Sequence, residues 1–286
     1  MKSMIYQSPI CEMKEFNNLF IEMTAKNCNM KCRKCYIDFP LSRSVKDFIQ
    51  IDKVKQALED TKHENIETIY LTGAEPMTHP DFNGILRLCL TKANVCICTN
   101  GSFINEKKAR FLKRVQDESN FEIIFQLSLC HYDEEKNDEI RCRGAFRQTV
   151  HSVKYLCKYG FNPIINFANY YNLSKAEIFE NCAKVLSCPN YELSKSNLKI
   201  NLWQGNDGQS DEIDWTWDSL DCEYGRTLTQ NGIYTCPLLC GDHRGRSGTD
   251  FKDFSRRTAL ETNMCTICLK NRHSMFSIDY SLFENV

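Results

Sequence analysis

The chain has 286 residues, of which 42% are hydrophobic and 26% are charged, and its formal net charge is −1. These are ordinary values for a globular protein with a sizeable core, and a nearly neutral chain offers no basic surface for nucleic acid. The apolar runs are short and broken by charges, and the N-terminus has no apolar signal region. We therefore expect a cytoplasmic protein with no membrane or nucleic-acid partner.

Apolar, β-rich runs alternate with amphipathic segments through the first two thirds of the chain. The predicted strands cover residues 18–24, 66–73, 94–101, 122–129, 162–169 and 197–203. The predicted helices cover residues 54–62, 82–93, 106–115, 146–160 and 175–186. This alternation predicts an α/β fold with a parallel sheet, whose strand ends carry the functional residues. Because six such units are two short of a closed barrel, we expect an open partial barrel or a doubly wound sheet.

The composition changes after Trp203. Residues 204–221 are acidic, rich in turn-forming residues and without a helical or strand period. This stretch predicts a boundary between a first domain, residues 1–203, and a second domain, residues 204–286. Near the start of the second domain, residues 225–237 predict a β-hairpin with its turn at Gln230-Asn231-Gly232.

The chain contains seventeen cysteines, and without a signal peptide they are expected to be free thiols in a reducing compartment. Some lie in periodic apolar segments and are predicted to be small core residues. These are Cys89, Cys96, Cys98, Cys157 and Cys182.

Three other cysteines, Cys28, Cys32 and Cys35, lie close together directly after the first predicted strand. A structural zinc site would need a fourth ligand from elsewhere in the chain. A 4Fe–4S cluster held by three cysteines would instead leave one iron free to bind a substrate or cofactor. The spacing therefore predicts a metal site, most simply an iron–sulfur cluster with an open position.

The spacing Cys28-x3-Cys32-x2-Cys35 resembles the signature of the radical S-adenosylmethionine (SAM) enzymes. The resemblance continues with Thr72-Gly73-Ala74-Glu75-Pro76 at the second strand end and Thr99-Asn100-Gly101 at the third. It implies an open (β/α)6 partial barrel with SAM bound to the free iron of a 4Fe–4S cluster. It also implies reductive cleavage of SAM to a 5′-deoxyadenosyl radical, which abstracts hydrogen from a substrate.

The same resemblance implies a set of SAM-binding residues. Glu75 and the backbone of Gly73 and Ala74 would accept hydrogen bonds from the SAM ammonium, and Arg141 would pair with its carboxylate. The remaining contacts implied are Tyr36 beside the adenine, Asn100 and Ser128 at the ribose or methionine part, and Asn166 on the fifth strand.

The chain departs from the family pattern after the fourth strand, where Ser128-Leu129-Cys130 replaces the common Ser-Leu-Asp. A thiol at the barrel mouth could donate a hydrogen atom to a substrate radical, and His131 could move a proton. Cys130 and His131 are therefore the candidate catalytic residues. The alternative is that Cys130 only fills space beside the cluster loop.

A second group of cysteines follows the predicted domain boundary. Its order resembles the twitch and SPASM domains of radical SAM enzymes, and this implies a second, auxiliary 4Fe–4S cluster. The implied ligands are Cys222, Cys236, Cys265 and Cys268, and Cys240 is the alternative ligand in place of Cys222. Ligand type alone also allows zinc. The interval between Gly232 and Cys236 is one residue shorter than the family's usual form.

The preferred interpretation is an enzyme that oxidises a small molecule, because a second cluster could accept an electron from a substrate radical. A flavodoxin or ferredoxin is implied as the reductant. One alternative is a radical SAM enzyme that matures a peptide, although little chain precedes the first strand for recognising one. A second alternative, from another class, is a non-catalytic zinc or iron–sulfur module.

Overall fold

The computed structural model describes residues 8–35, 48–203, 219–272 and 274–278. The strands are β1 (Ile10–Glu12), β2 (Asn18–Glu22), β3 (Thr68–Thr72), β4 (Asn94–Thr99), β5 (Ile123–Leu129), β6 (Ile164–Asn169), β7 (Leu198–Leu202), β8 (Gly225–Thr229), β9 (Gly232–Tyr234), β10 (Arg246–Asp250), β11 (Asp253–Phe254) and β12 (Arg257–Ala259). The α-helices are α1 (Ile51–Asp60), α2 (Phe82–Cys89), α3 (Glu106–Asp117), α4 (Glu134–Ile140), α5 (Ala145–Lys158), α6 (Lys175–Leu186), α7 (Asp221–Tyr224) and α8 (Asn263–Asn271).

Strands β2 to β7 are parallel and lie side by side in the order of the chain. Since each crossover steps in the same direction, the strand order never reverses as it would in a doubly wound sheet. The structure therefore confirms the open (β/α)6 partial barrel among the two predicted folds. All six predicted strands are present.

The sheet continues beyond β2 into the C-terminal part of the chain. Strand β8 pairs in parallel with β2, and β8 and β9 form the predicted hairpin, with Thr229 opposite Gly232. Strands β10 and β11 extend this side of the sheet, while β1 pairs separately with β12. The predicted boundary after residue 203 thus falls inside one continuous sheet, and the division into two domains stays a prediction.

Two apolar cores lie against the sheet. The larger core includes Leu19, Ile69 and Leu86 and is shared by the strands and several of the surrounding helices. The smaller core combines Phe20 and Tyr70 with residues of the C-terminal part, such as α8. Alternate side chains of β2 and β3 thus enter different cores, as the period of a strand requires. Covering both faces of a parallel sheet explains why its strands are apolar throughout.

Several elements were absent from the sequence-based prediction, among them α4 and β1. Helix α4 is an acidic stretch that buries only Asn137 and Ile140, so it has no apolar period to detect. Its N-terminus is instead stabilised by Asp133, whose side chain accepts a hydrogen bond from the Lys136 N–H. Strand β1 has three residues and depends on its partner β12, more than 240 positions away.

A short stretch near the C-terminus, here called the inner segment (residues 275–278), lies in the smaller core and reaches the barrel interior. The Asp221 carboxylate accepts hydrogen bonds from three successive backbone N–H groups of this segment, at 2.7, 3.0 and 2.9 Å. Gln126 and Asn201 donate to its carbonyl oxygens, and its last N–H donates to the Tyr70 hydroxyl. The segment is thus held by strands β3, β5 and β7 together with α7.

We predict that Asp221→Asn lowers the free energy of unfolding by about 2–3 kcal/mol, because the amide replaces one acceptor oxygen with a donor that faces N–H groups. Denaturant unfolding under anaerobic conditions measures the change. The control is Asp52→Asn, because Asp52 is an exposed carboxylate that pairs with Lys55. This substitution should change stability by less than about 0.5 kcal/mol. Equal effects of the two substitutions would contradict the structural role of Asp221.

Candidate functional site

A cavity of about 700 Å³ opens at the carboxyl ends of the parallel strands. This is within the usual size of ligand pockets, and it lies where partial barrels bind their substrates. Most of the predicted site residues line it: Cys28, Cys32, Cys35, Gly73, Ala74, Asn100, Ser128, Cys130, Arg141 and Asn166. Tyr36 falls outside the described residues. Strands β2 to β6 and the connections that follow them therefore bring these residues to one cavity.

The three thiols of the cluster loop are half-buried at the cavity wall. Burial raises the pKa of Cys28 to about 11 and also raises the pKa of Cys32. A bare thiol here keeps its proton at neutral pH, so a bound metal would have to stabilise the thiolate form. The Asn100 side-chain amide lies 3.6 Å from the Cys28 sulfur, a distance suited to a weak hydrogen bond to a thiolate. Three cysteine sulfurs at one cavity wall fit the ligand type of an iron–sulfur cluster.

Gly73 marks a close approach between the ends of β2 and β3. Its φ of +110° is unfavourable for other residues, and a Cβ there would lie 2.6 Å from the Thr24 carbonyl oxygen. The N–H of Ala74 donates to the same oxygen at 2.8 Å. The backbone of residues 73 and 74 is therefore fixed at the cavity wall.

Glu75 is fully buried and does not line the cavity. Its carboxylate accepts hydrogen bonds from the Thr99 hydroxyl and the Asn100 N–H, both at 2.8 Å, and from the Met77 N–H. Burial raises the pKa of Glu75, while these donors oppose the shift. In the structure Glu75 joins the ends of β3 and β4, and its contact with SAM stays a prediction.

Arg141 is buried at the cavity wall and joins two strand ends. Its guanidinium donates to the carbonyl oxygens of Ser128 and Asn100 and to the Thr149 hydroxyl. The fork geometry of arginine makes these three bonds possible at once. Asn166 also lines the cavity, and its side-chain oxygen accepts a hydrogen bond from Asn201 at 2.7 Å.

The structure separates the two candidate catalytic residues. Cys130 lines the cavity, and burial raises its pKa to about 12, so the thiol stays protonated. His131 is buried outside the cavity, between the rings of Tyr132 and Tyr171. Its Nδ1 accepts the Asp133 N–H, and its Nε2 has no hydrogen-bond partner among the described residues. Burial lowers the pKa of His131, which favours the neutral ring.

Several residues that line the cavity were not identified from the sequence. Cys98 was predicted to be a core residue, but it is half-buried and lines the cavity, so that prediction is wrong; the other four are buried as predicted. Gln126 and Asn201 point inward from β5 and β7, where the alternation of the strand is the available signal. Phe276, from the inner segment, has no local sequence signal.

The second group of cysteines also meets at one place. Cys222 lies on α7, Cys236 follows β9, and Cys265 and Cys268 lie on α8; all four line one small cavity. Burial raises the pKa of Cys236 and of Cys268. Cys240 does not line this cavity, which places it apart from the four implied ligands.

A further thiol, Cys11 on β1, lies 3.5 Å from the Cys222 sulfur. It does not line the small cavity. No sequence pattern pointed to Cys11, because its proximity arises only from the pairing of β1 with β12.

The fold is an α/β partial barrel in which one group of cysteines lines the large cavity and a second group lines a small one. Residues 24–178 match the Radical SAM superfamily model, so the chain belongs to the radical SAM superfamily. Its members are enzymes that use a 4Fe–4S cluster and SAM, and SPASM-type members carry auxiliary clusters. No helix among the described residues is long and apolar enough to span a membrane.

The chain is similar to two characterised or assigned proteins. The antilisterial bacteriocin subtilosin biosynthesis protein AlbA of Bacillus subtilis (strain 168) is 30% identical over 135 residues, which is 46% of this chain and 29% of AlbA. A probable GTP 3′,8-cyclase of Methanocella arvoryzae is 25% identical over 167 residues, covering 58% of this chain and 52% of the cyclase. The chain thus spans only part of either relative.

Solved structures show the same fold at low sequence identity. Streptococcus suis SuiB bound to S-adenosylmethionine superposes with a TM-score of 0.58 at 16% identity, over 89% of this chain and 65% of SuiB. The structure of anSMEcpe with bound AdoMet and a peptide also gives a TM-score of 0.58, at 15% identity, over 89% of this chain and 83% of that one.

We predict that Arg141→Lys weakens SAM binding by at least about tenfold, since one ammonium cannot replace the three bonds of the guanidinium. Equilibrium dialysis with SAM and the reconstituted protein measures the dissociation constant. Arg143→Lys is the control, because Arg143 is exposed two positions later, and it should bind SAM like the parent. Unchanged affinity in Arg141→Lys would exclude Arg141 from the SAM site.

Proposed function

We propose that this radical SAM enzyme dehydrogenates a substrate held in the 700 Å³ cavity. Cys28, Cys32 and Cys35 would hold the SAM-binding cluster, and Cys222, Cys236, Cys265 and Cys268 would hold an auxiliary 4Fe–4S cluster. When bound, SAM and its cluster supply hydrogen-atom abstraction, and the auxiliary cluster supplies an electron acceptor. The substrate would lose a hydrogen atom, then one proton and one electron, which is a two-electron oxidation.

The observation that carries this proposal is the shared cavity. The three thiols, the Gly73 backbone and the Arg141 guanidinium come from loops that are distant in the chain, yet they line one space. A non-catalytic metal module gives no reason for such convergence around an accessible cavity. The geometry therefore supports the enzyme over the binding module.

The four C-terminal thiols come from three separate elements and line one small cavity, which supports a shared metal site there. Four thiols suit either zinc or a 4Fe–4S cluster. The order of these cysteines, which resembles that of twitch and SPASM domains, supports the cluster.

The chain's own residues would orient the substrate and exclude water. Trp203 and Tyr170 stack at a ring-centroid distance of 6.3 Å, and both line the cavity as an aromatic wall. Gln126 and Asn166 add neutral hydrogen-bonding groups. Cys130 lines the cavity as a thiol that burial keeps protonated, and a dehydrogenation needs no hydrogen atom back from it; the buried ring of His131 would act only through its neighbours.

A small-molecule substrate is the first candidate, and a peptide is the second. The similarity to AlbA, named for bacteriocin biosynthesis, favours the peptide. Three lysines at the cluster loop, Lys26, Lys31 and Lys34, also line the cavity and would suit an acidic peptide. The similarity to a probable GTP 3′,8-cyclase favours a small molecule.

We predict that anaerobically purified protein holds about eight irons per chain, and that replacing Cys28, Cys32 and Cys35 by alanine lowers this to about four. The triple variant should form no 5′-deoxyadenosine from SAM under reducing conditions. Iron and zinc analysis with chromatography of the products measures both effects.

A matched pair of variants tests the auxiliary site in the same assay. Cys236→Ala removes a thiol that lines the small cavity, whereas Cys240→Ala removes a buried thiol outside it. The first should lose about four irons and the second none. About four irons plus zinc in the parent would remove the auxiliary cluster as electron acceptor. Zinc without iron in the unsubstituted protein would contradict the proposed radical chemistry.

The substrate class is tested by adding extracts separated by molecular size to the enzyme and measuring 5′-deoxyadenosine above the background without substrate. A small-molecule substrate should stimulate from the low-mass fraction and survive protease treatment of the extract. Stimulation that is abolished by protease would instead select the peptide. The Arg141→Lys variant is the control, because any increase in 5′-deoxyadenosine that depends on SAM binding should be smaller in it.

A further inference from the structure

Arg226 is a fully buried arginine at the start of β8. Its Nη1 donates to the carbonyl oxygens of Cys222 and Gly225 at 2.8 and 2.7 Å, and its Nε donates to the Ser255 carbonyl oxygen at 3.2 Å. These partners are neutral backbone groups. The guanidinium is thus bonded directly to the residue that carries one of the four C-terminal thiols.

The positive charge of Arg226 has no anionic partner within the described part of the chain. Its hydrogen bonds reach no carboxylate, no ion pair includes it, and its Nη2 is buried without a hydrogen-bond partner. Arginine stays charged in proteins, and an unpaired buried charge is strongly unfavourable. Such a site is complete only when an anion lies close by.

The nearest candidates for that anion are the C-terminal thiols. Arg226 donates to the Cys222 carbonyl oxygen at 2.8 Å, which places the guanidinium beside the residue that carries one of these thiols. The Cys11 thiol is 3.5 Å from the Cys222 sulfur. In the structure the Cys222 thiol donates to the Cys11 sulfur. A Cys222 thiolate bound to iron could only accept, so a hydrogen bond between these two sulfurs would then come from the Cys11 thiol.

We propose that Arg226 is the charge partner of an anionic metal cluster at the C-terminal thiols, and that Arg226 and Cys11 together raise the affinity of this cluster for an electron. This inference rests on the proposed auxiliary cluster and deepens it. Neither residue binds iron in this arrangement; both act on the cluster through Cys222.

The physical reason is the charge that the site gains on reduction. Four thiolates outweigh the positive charge of a cubane core, so the site is anionic and becomes more so when it accepts an electron. A buried cation stabilises the more negative state to a greater extent, because the surrounding core screens the interaction poorly. A hydrogen bond to a ligand sulfur acts in the same direction. The positive charge of Arg226 and the hydrogen bond from Cys11 would therefore favour transfer of an electron from the substrate radical to this cluster.

The test is a redox titration followed by electron paramagnetic resonance. The whole chain with Cys28, Cys32 and Cys35 replaced by alanine serves as the parent, so that only the C-terminal cluster gives a signal. Arg226→Gln should reduce the equilibrium constant for one-electron reduction at least about tenfold, which is a shift of about 59 mV to lower potential. Arg226→Lys keeps the charge and should restore part of the shift.

The matched control is Arg256→Gln, which removes one positive charge from a partly exposed arginine that pairs with Glu64. Its charge is screened by water, so the potential should stay near that of the parent. Equal shifts in Arg256→Gln and Arg226→Gln would overturn the specific role of Arg226. An unchanged potential in Arg226→Gln with full iron content would overturn the inference and leave the auxiliary cluster intact.

If Arg226→Gln does not retain iron, a second pair of variants tests the proposed effect on the reduction potential. Cys11→Ala removes the thiol beside Cys222, whereas Cys11→Ser keeps a hydrogen-bond donor at the same position. A lower potential in Cys11→Ala than in Cys11→Ser supports the inference, and equal potentials contradict it. Zinc in place of iron in the parent would overturn the auxiliary cluster itself, and the inference with it.

Discussion

The parallel pairing of β2 on both of its sides is the constraint on which both thiol groups depend. β2 pairs with β3 over five residue pairs and with β8 over four. The second pairing needs a glycine at position 225, because a Cβ there would lie 2.5 Å from the Asn18 carbonyl oxygen. The chain leaves β2 into the loop with Cys28, and it enters β8 from the helix with Cys222. One strand therefore sets the positions of both groups.

Four buried charged residues lie around these two thiol groups, and they differ in the hydrogen-bond partners that offset the cost of burying their charge. They are Asp221, Glu75, Arg141 and Arg226. The Asp221 carboxylate accepts hydrogen bonds from N–H groups of the inner segment, and these bonds hold Phe276 at the cavity. Glu75 and Arg141 are both hydrogen-bonded to strand ends, and of the two only Arg141 also lines the cavity. Arg226 alone among these four is left with an unpartnered buried N–H donor.

Much of the fold and part of the site could be predicted from the sequence. The six strands and the three-cysteine loop can be recognised from the periodicity of apolar residues and from cysteine spacing over a few positions. Such local patterns can be read without knowing which distant residues they contact. The four C-terminal thiols that share a cavity were also identified. Residues whose role depends on distant partners were not: α4 lacks an apolar face, Cys11 needs the β1–β12 pairing, and Cys98 faces a cavity that forms only when the barrel curves.

The sequence by itself determined the class of fold, the order of the strand-end loops and the chemistry of the thiols, because these follow from short-range period, spacing and residue type. Only the tertiary structure decided which polar side chains face the cavity. It separated Cys130 from its neighbour His131, turned Glu75 toward the end of β4, and buried Arg226 behind Cys222. These outcomes depend on which neighbour satisfies each buried polar group, and such neighbours come together only when the sheet is assembled.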